Sequence, residues 1–240
     1  MRPLIVLPTY KEEENIAEII PAILRSVPEG SVLVVDDGSP DQTAKIALRL
    51  ADEDERVHVI QRRCKLGLGS AYLVGFEWGL QRGFDVLVEM DSDFSHDPLE
   101  LPNLLAEVES GADLVIGSRY VPGGSIPDWT WFREQLSRWG NRYASMALSM
   151  PVRDSTSGFR AYRADALREL DLGTVRAEGY GFQIEMAYRV YRNGRKVVEV
   201  PIAFTDRVKG TSKMSGRIVW EALLLVTWWG VRDRLRRRPR

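Results

Sequence analysis

The chain is poor in the residues that staple a fold or cage a soft metal. Its 240 residues include one cysteine, Cys64, so no disulfide can close within it, and a reducing compartment suits it. Cys64 itself reads as a small filler and not as a nucleophile. Histidine is nearly as scarce: His58 reads as strand packing, and His96 as a turn residue or one that supports a ligand. Charge of one sign is also missing. A net charge of −1 excludes a globally basic nucleic-acid binder, although a local basic patch remains open. No apolar run approaches the roughly 18 residues that a spanning helix needs. The start, Met1-Arg-Pro-Leu-Ile-Val-Leu-Pro8, is too short and too soon broken by proline to read as a signal peptide. No Gly-x-Gly-x-x-Gly follows the first apolar run, which disfavours a dehydrogenase. There is no internal repeat and no low-complexity linker.

What the chain does have is alternation. Leu4–Leu7, Val32–Val35, Val57–Ile60, Val86–Met90 and Leu114–Ile116 are short apolar runs, separated by segments with helical spacing. Strand–helix alternation of this kind argues for a parallel, doubly wound sheet. Runs that are largely continuous, and not alternating, place helices on both faces. Each strand end opens into a polar cluster: Thr9–Glu12, Asp36–Asp41, Asp91–Asp97 and Gly117–Tyr120. In an open α/β sheet the ligand crevice lies at the carboxyl ends of the strands, so all four clusters are expected on one edge.

The most telling stretch is Val86-Leu-Val-Glu-Met-Asp-Ser-Asp-Phe-Ser-His-Asp-Pro98. A β-prone run ends in two carboxylates, Asp91 and Asp93. Oxygen ligands of this kind suit a hard cation such as Mg²⁺ or Mn²⁺ bridging to a diphosphate. Taken alone, Asp-x-Asp is also what a surface turn offers. Gly67 and Gly69 most simply open a helix. Asp36 reads equally as a turn residue or a ligand, and Glu12 competes with a plain helix-dipole role.

The second half is less regular. Trp129–Met150 is expected as a helix with an apolar stripe of Trp131, Phe132, Leu136, Trp139, Tyr143 and Met146. Asp154–Arg160 reads as a polar turn, 181–191 as a helix and Val197–Phe204 as a strand. Arg207–Lys213 is a basic, glycine-containing loop. Ile218–Val231 is apolar with three tryptophans and leads into an arginine-rich tail ending at Arg240.

In order along the chain stand Pro8-Thr-Tyr-Lys-Glu12, Val35-Asp-Asp-Gly-Ser-Pro-Asp-Gln-Thr43, Asp91-Ser-Asp-Phe-Ser-His-Asp-Pro98, Gly117-Ser-Arg-Tyr120, Asp154–Arg160 and Arg207…Gly210-Thr-Ser-Lys213. With these motifs the whole chain resembles the dolichyl- or polyprenyl-phosphate mannosyltransferases, inverting enzymes of the GT-A fold. The first two motifs speak only of a nucleotide-sugar transferase; the last three narrow the likeness to polyprenyl-phosphate acceptors.

The resemblance implies a Rossmann-like α/β fold, mostly parallel, as a single catalytic domain over residues 1–240. Residues 212–240 would form a C-terminal amphipathic helix and basic tail. It implies transfer of mannose from GDP-mannose to a polyprenyl phosphate, with UDP-glucose as the rival donor and a nucleotide-sugar-binding module as the rival without turnover. Pro8, Tyr10, Glu12, Val35 and Asp37 would form the nucleotide pocket. Asp91, Ser92, Asp93, Arg119, Arg207 and Lys213 would hold the rest of the donor. Asp91, Asp93 and Ser95 would carry Mg²⁺ or Mn²⁺; some relatives have glutamine at the position of Ser95, so here a hydroxyl, or a water it holds, joins the shell. Asp93, Arg119, Arg133 and Ser137 would serve catalysis, the last three cradling the acceptor phosphate. Many relatives carry membrane helices, absent from this sequence. The expected location is therefore peripheral, on the cytoplasmic face of the plasma membrane, with room for a separate membrane-protein partner and none for nucleic acid. Trp220, Leu224, Trp228, Val231 and Leu235 share one helical face that would meet the lipid.

Overall fold

The computed structural model describes residues 1–206 and 216–236. The first half alternates as its apolar runs dictate. Strands β1 (Pro3–Thr9), β2 (Ser31–Asp36), β3 (Val57–Gln61), β4 (Val86–Glu89) and β5 (Leu114–Ser118) are connected by helices α1 (Ile16–Ser26), α2 (Thr43–Glu53), α3 (Leu68–Gln81) and α4 (Leu101–Glu109). Helix α5 (Trp131–Leu148) follows, then strand β6 (Arg160–Arg163), helices α6 (Ala164–Arg168) and α7 (Gly179–Arg192), strand β7 (Val197–Pro201) and helix α8 (Gly216–Arg236).

The seven strands form one sheet in the order β3-β2-β1-β4-β6-β5-β7. Pairs β1–β2, β1–β4, β2–β3 and β5–β7 are parallel; β6 runs antiparallel to both its neighbours. The sheet is thus mostly parallel, as expected; what β6 adds is a strand starting at Arg160, where the sequence read only a polar turn. Its sequence, Arg-Ala-Tyr-Arg, has no apolar run to announce it. The fully buried Arg160 guanidinium is tolerated because the carbonyls of Ser155, Ser157 and Gln183 accept its hydrogen bonds at 2.6–2.7 Å.

Strand side chains alternate between two cores. Ile5, Leu7, Val32 and Val34 meet α1, α2 and α4 on one face; Leu4, Val6, Leu33 and Val35 meet the layer containing α3, α5, α7 and α8 on the other. Burial on both faces explains why β1 and β2 read as continuous apolar runs.

Helix α5 carries the expected apolar stripe, and the structure shows which way it faces. It forms, capped by the Thr130 hydroxyl on the Arg133 amide, but its large apolar residues do not enter the core. The buried face is Asn141, Ala144 and Leu148, whereas Trp131, Phe132, Leu136, Trp139 and Met146 are exposed. Helix α8 is also two-faced. Ala222, Val226 and Trp229 pack into the core, with Trp229 stacked on Tyr188, and Asp233 pairs with Arg192 of α7. Trp220, Leu224, Trp228, Val231 and Leu235 face outward. The two helices touch through Gly230: a Cβ there would lie 2.6 Å from the Ala147 carbonyl oxygen, so only glycine permits the approach. The Tyr143 and Thr227 hydroxyls close the same contact at 2.6 Å. His58 is half-buried, its ring 4.8 Å from that of Trp78. Cys64 is exposed, which corrects its reading as a filler. Among the described residues no helix is long and apolar enough to cross a membrane.

Candidate active site

The carboxyl ends of β1, β2, β4 and β5 open into one cleft of about 640 Å³. Its walls come from all four polar clusters, and from α7, which no motif announced.

At one end Tyr10 lies beneath the ammonium of Lys65, 4.4 Å from the ring centroid. Glu12 is steadied by the Asn15 amide at 3.0 Å. Asp37 faces Arg62 at 2.9 Å and accepts the backbone amides of Leu66 and Gly67. It therefore holds the β3–α3 connection, and Lys65 with it, against the cleft. Asp36 is a turn residue: it is buried and accepts the Thr9 hydroxyl and both the amide and hydroxyl of Ser39.

In the middle, the loop after β4 carries Asp91, Ser92, Asp93 and Ser95 into the cleft. Asp93 accepts the Ser95 amide at 3.0 Å, and Phe94 between them takes a left-handed backbone with φ of 60°. That conformation is unfavourable for a bulky residue and is held by neighbours. Thr205 clamps the loop from across the cleft, and the His96 ring packs against Phe159 and Phe204. Burial pushes the His96 imidazole down to about 4, so Nδ1 is free to accept the Asp91 amide.

At the far end Arg119 is almost fully buried. Two of its guanidinium nitrogens and its backbone amide donate to Asp154 at 2.7–2.9 Å, and a further bond reaches the Thr156 hydroxyl. Burial opposes charge on both partners, but their mutual attraction prevails: Arg119 is held above its ordinary value and Asp154 below. Arg133, in the first turn of α5, stacks on Trp129 at 3.9 Å and donates to both oxygens of Asp206 at 3.1 Å.

Residues 4–171 match the family described as glycosyl transferase family 2. The chain belongs to that family. It is 52% identical over 238 residues to the polyprenol monophosphomannose synthase of Mycolicibacterium smegmatis, covering 98% of this chain and 89% of that one. It is 51% identical over 234 residues to the undecaprenyl-phosphate mannosyltransferase of Micrococcus luteus, with 98% and 96% covered. The dolichol-phosphate mannosyltransferase of Pyrococcus furiosus is 35% identical, over 98% of this chain and 66% of that one. The structure of glucosyl-3-phosphoglycerate synthase from Mycobacterium tuberculosis with Mn²⁺, UDP and phosphoglyceric acid superimposes with a TM-score of 0.73 at 20% identity, covering 95% and 78%. That likeness fixes the fold as GT-A.

Of the residues singled out in the sequence of this glycosyltransferase, Pro8, Tyr10, Glu12, Asp37, Asp91, Ser92, Asp93, Ser95, Arg119 and Arg133 line the cleft. Val35 does not: its side chain is fully buried in the apolar core. Ser137 lies behind the wall, accepting the Tyr120 hydroxyl at 2.6 Å. Arg207 and Lys213 lie outside the described residues. Sequence reading missed Lys65, Thr156, Glu178, Tyr180, Gln183 and Asp206. Asp206 could have been found as the residue preceding the basic loop; the start of α7 carries no charge pattern to mark it.

Beneath the cleft floor sits Glu89, fully buried and opposite Arg160 in the sheet. Burial pushes its carboxyl up to about 7, while the Arg160 charge and the nearby Gln183 amide and Tyr162 hydroxyl pull the other way. The folded protein thus keeps this proton to higher pH than the unfolded chain. The stabilisation is full below an unfolded value of 4.5 and is lost as pH rises through about 7. A displacement of this size corresponds to about 3 kcal/mol. Denaturant unfolding in EDTA should show wild type losing stability between pH 5 and 8 relative to Glu89→Gln. Parallel pH profiles for the two proteins would contradict this.

Proposed function

We propose that this glycosyltransferase moves mannose from GDP-mannose to a polyprenyl (dolichyl) phosphate, giving a β-linked mannosyl phosphate. The observation that carries the reading is the likeness, at 51–52% identity over 98% of the chain, to two proteins named for transfer to polyprenyl carriers. The cleft supports it by joining a carboxylate pair to two arginines.

The nucleotide would lie between Tyr10, Glu12 and Lys65, with Asp37 positioning the loop that carries Lys65. Asp91, Asp93 and the Ser95 hydroxyl fit Mg²⁺ or Mn²⁺: every donor is oxygen. Among the described residues no third His, Cys, Asp or Glu joins them, so substrate oxygens and water would complete the shell. When bound, the cation offsets charge growing on the departing diphosphate. Arg207 and Lys213 would neutralise the same diphosphate. The acceptor is a phosphate monoester with a second pKa of about 6, already mostly dianionic at neutral pH, so no side chain has to remove a proton. Arg119 and Arg133 would bring this anion to the anomeric carbon, and attack opposite the diphosphate inverts that centre. Positioning and electrostatics then supply most of the rate. Arg119 is pre-aimed by Asp154; Arg133 would exchange the Asp206 carboxylate for phosphate. Transfer of labelled mannose from GDP-mannose to a short polyprenyl phosphate, with and without EDTA, tests the reading. Transfer from UDP-glucose and none from GDP-mannose would overturn it.

The acceptor's tail stays in a bilayer, so the enzyme would work at a membrane surface, in this reading the cytoplasmic face of the plasma membrane. The outward faces of α5 and α8 supply an apolar surface for this, with Trp131 and Trp139 on one helix and Trp220 and Trp228 on the other. Arg232 and Arg234 would meet anionic headgroups, each adding about 1 kcal/mol at low salt; the tail from 237 to 240 lies outside the described residues. Changing Trp139 and Trp228 to glutamate should reduce co-sedimentation with anionic vesicles roughly tenfold or more, by loss of apolar insertion. Both side chains are exposed, so the melting temperature should hold. Equal vesicle binding by variant and wild type would remove these helices from the membrane contact.

A further inference from the structure

Gln183 is the residue of the cleft wall whose chemistry is least accounted for. It sits in the first turns of α7, is 2% exposed, and lines the cleft. Neither its Nε2 nor its Oε1 completes a hydrogen bond, although the amide lies near enough to Glu89 to favour that carboxylate. Leaving buried polar atoms unmatched is costly to a fold. In a cleft wall, such a group is open to a partner supplied by the cleft's ligand.

The space beside this amide is built by a glycine. A Cβ on Gly158 would lie 3.6 Å from Gln183 Nε2 and 3.9 Å from His96 Cε1, with nothing closer. Any side chain at 158 would fill the position a ligand atom needs. The place is also specific along the cleft. His96 accepts the Asp91 amide on one side, and Thr156, two residues before Gly158, accepts from Arg119 on the other. The Gly158–Gln183 wall therefore spans the interval between the carboxylate pair and the arginine end. With the diphosphate at the first and the acceptor phosphate at the second, the hexose occupies that interval.

We propose that the Gln183 amide reads hydroxyls of the transferred hexose and sets which epimer is accepted, an inference that rests on the sugar-transfer reading above. A carboxamide offers a donor and an acceptor side by side, matching two neighbouring hydroxyls, each of which can donate and accept. A site that hydrogen-bonds substrate hydroxyls rejects a sugar that misplaces one, because its own buried groups are then left unmatched. Gln183 is thus a specificity-determining residue, not a proton carrier.

The test compares wild type, Gln183→Ala and Gly158→Ala, with GDP-mannose and GDP-glucose as donors and GDP alone as a binding control. Gln183→Ala should lower kcat/KM for GDP-mannose roughly 10- to 100-fold and shrink the preference over GDP-glucose by a similar factor. GDP affinity should stay within about threefold, since GDP carries no hexose. Gly158→Ala adds a methyl at ordinary contact distance, so it should keep the melting temperature while lowering transfer in the same way; it decides alone if Gln183→Ala does not fold. An unchanged hexose preference, or GDP affinity falling in step with transfer, would overturn the assignment. If wild type uses another nucleotide sugar and not GDP-mannose, the parent reading fails, and the same comparison on that sugar and its epimer still decides the role of Gln183.

Discussion

Asp93→Asn is expected to lose at least about a thousandfold in sugar transfer with its fold intact. The size follows from what one charge does in this cleft. Asp93 is 3% exposed, so little water screens it, and two anions have to be drawn together around it. The amide keeps the shape and can still accept the Ser95 backbone hydrogen bond, so the 91–97 loop should hold its course. What is lost is half of the carboxylate pair that fits a divalent cation. Asp91→Asn should act in the same direction. Turnover should be measured at saturating Mn²⁺ and Mg²⁺, alongside circular dichroism and melting temperature. Activity within tenfold of wild type, in a folded variant, would remove Asp93 from the cation site.

Asp154→Ala should be the most damaging single change for stability, by about 3–5 kcal/mol. Asp154 is fully buried and accepts three hydrogen bonds from Arg119. Removing it leaves a buried guanidinium without its counter-charge, which costs far more than the intact pair contributes. Denaturant midpoints at neutral pH measure this, and a loss under about 1 kcal/mol would show that Arg119 finds another partner. The same argument makes Arg119→Ala a poor probe of acceptor binding, because it strands Asp154. Arg133→Ala is cleaner. Arg133 is partly exposed and its partner Asp206 is open to water, so acceptor KM should rise with little change in stability.

Much of the frame was legible because both faces of the sheet are covered. Each of β1, β2, β4 and β5 had to be an apolar run, and each ends in a cluster that now shares the cleft. The carboxylate pair was legible for the same reason: abrupt polarity after Val86–Met90 has a place to go only at a strand end. Strand β6 was not legible, because its central burden is a buried arginine whose partners are carbonyl groups, and sequence does not show carbonyl groups. Val35 stands in the right motif, but the strand pleat turns its side chain into the core, and the Ser137 hydroxyl is taken by that of Tyr120. The α5 stripe has the spacing of a core face, and spacing alone does not say which medium an apolar face meets. Gln183 was silent because an uncharged amide in a buried helix has no pattern to betray it.

The absent side chain at Gly230 has a mechanical consequence. Two helices joined through long side chains can slide, because each rotamer change gives slack. Helices α5 and α8 meet at Gly230 and Ala147 with almost none between them. Such a contact leaves little room for α8 to tilt without carrying α5 with it. Helix α5 has 18 residues and so is about 27 Å long, with Ala147 near its last turn and Arg133 in its first. On the proposed reading its far end carries the arginine offered to the acceptor phosphate. Were the protein to rest on a membrane by α8, the angle of that contact would set the height of one guanidinium above the surface.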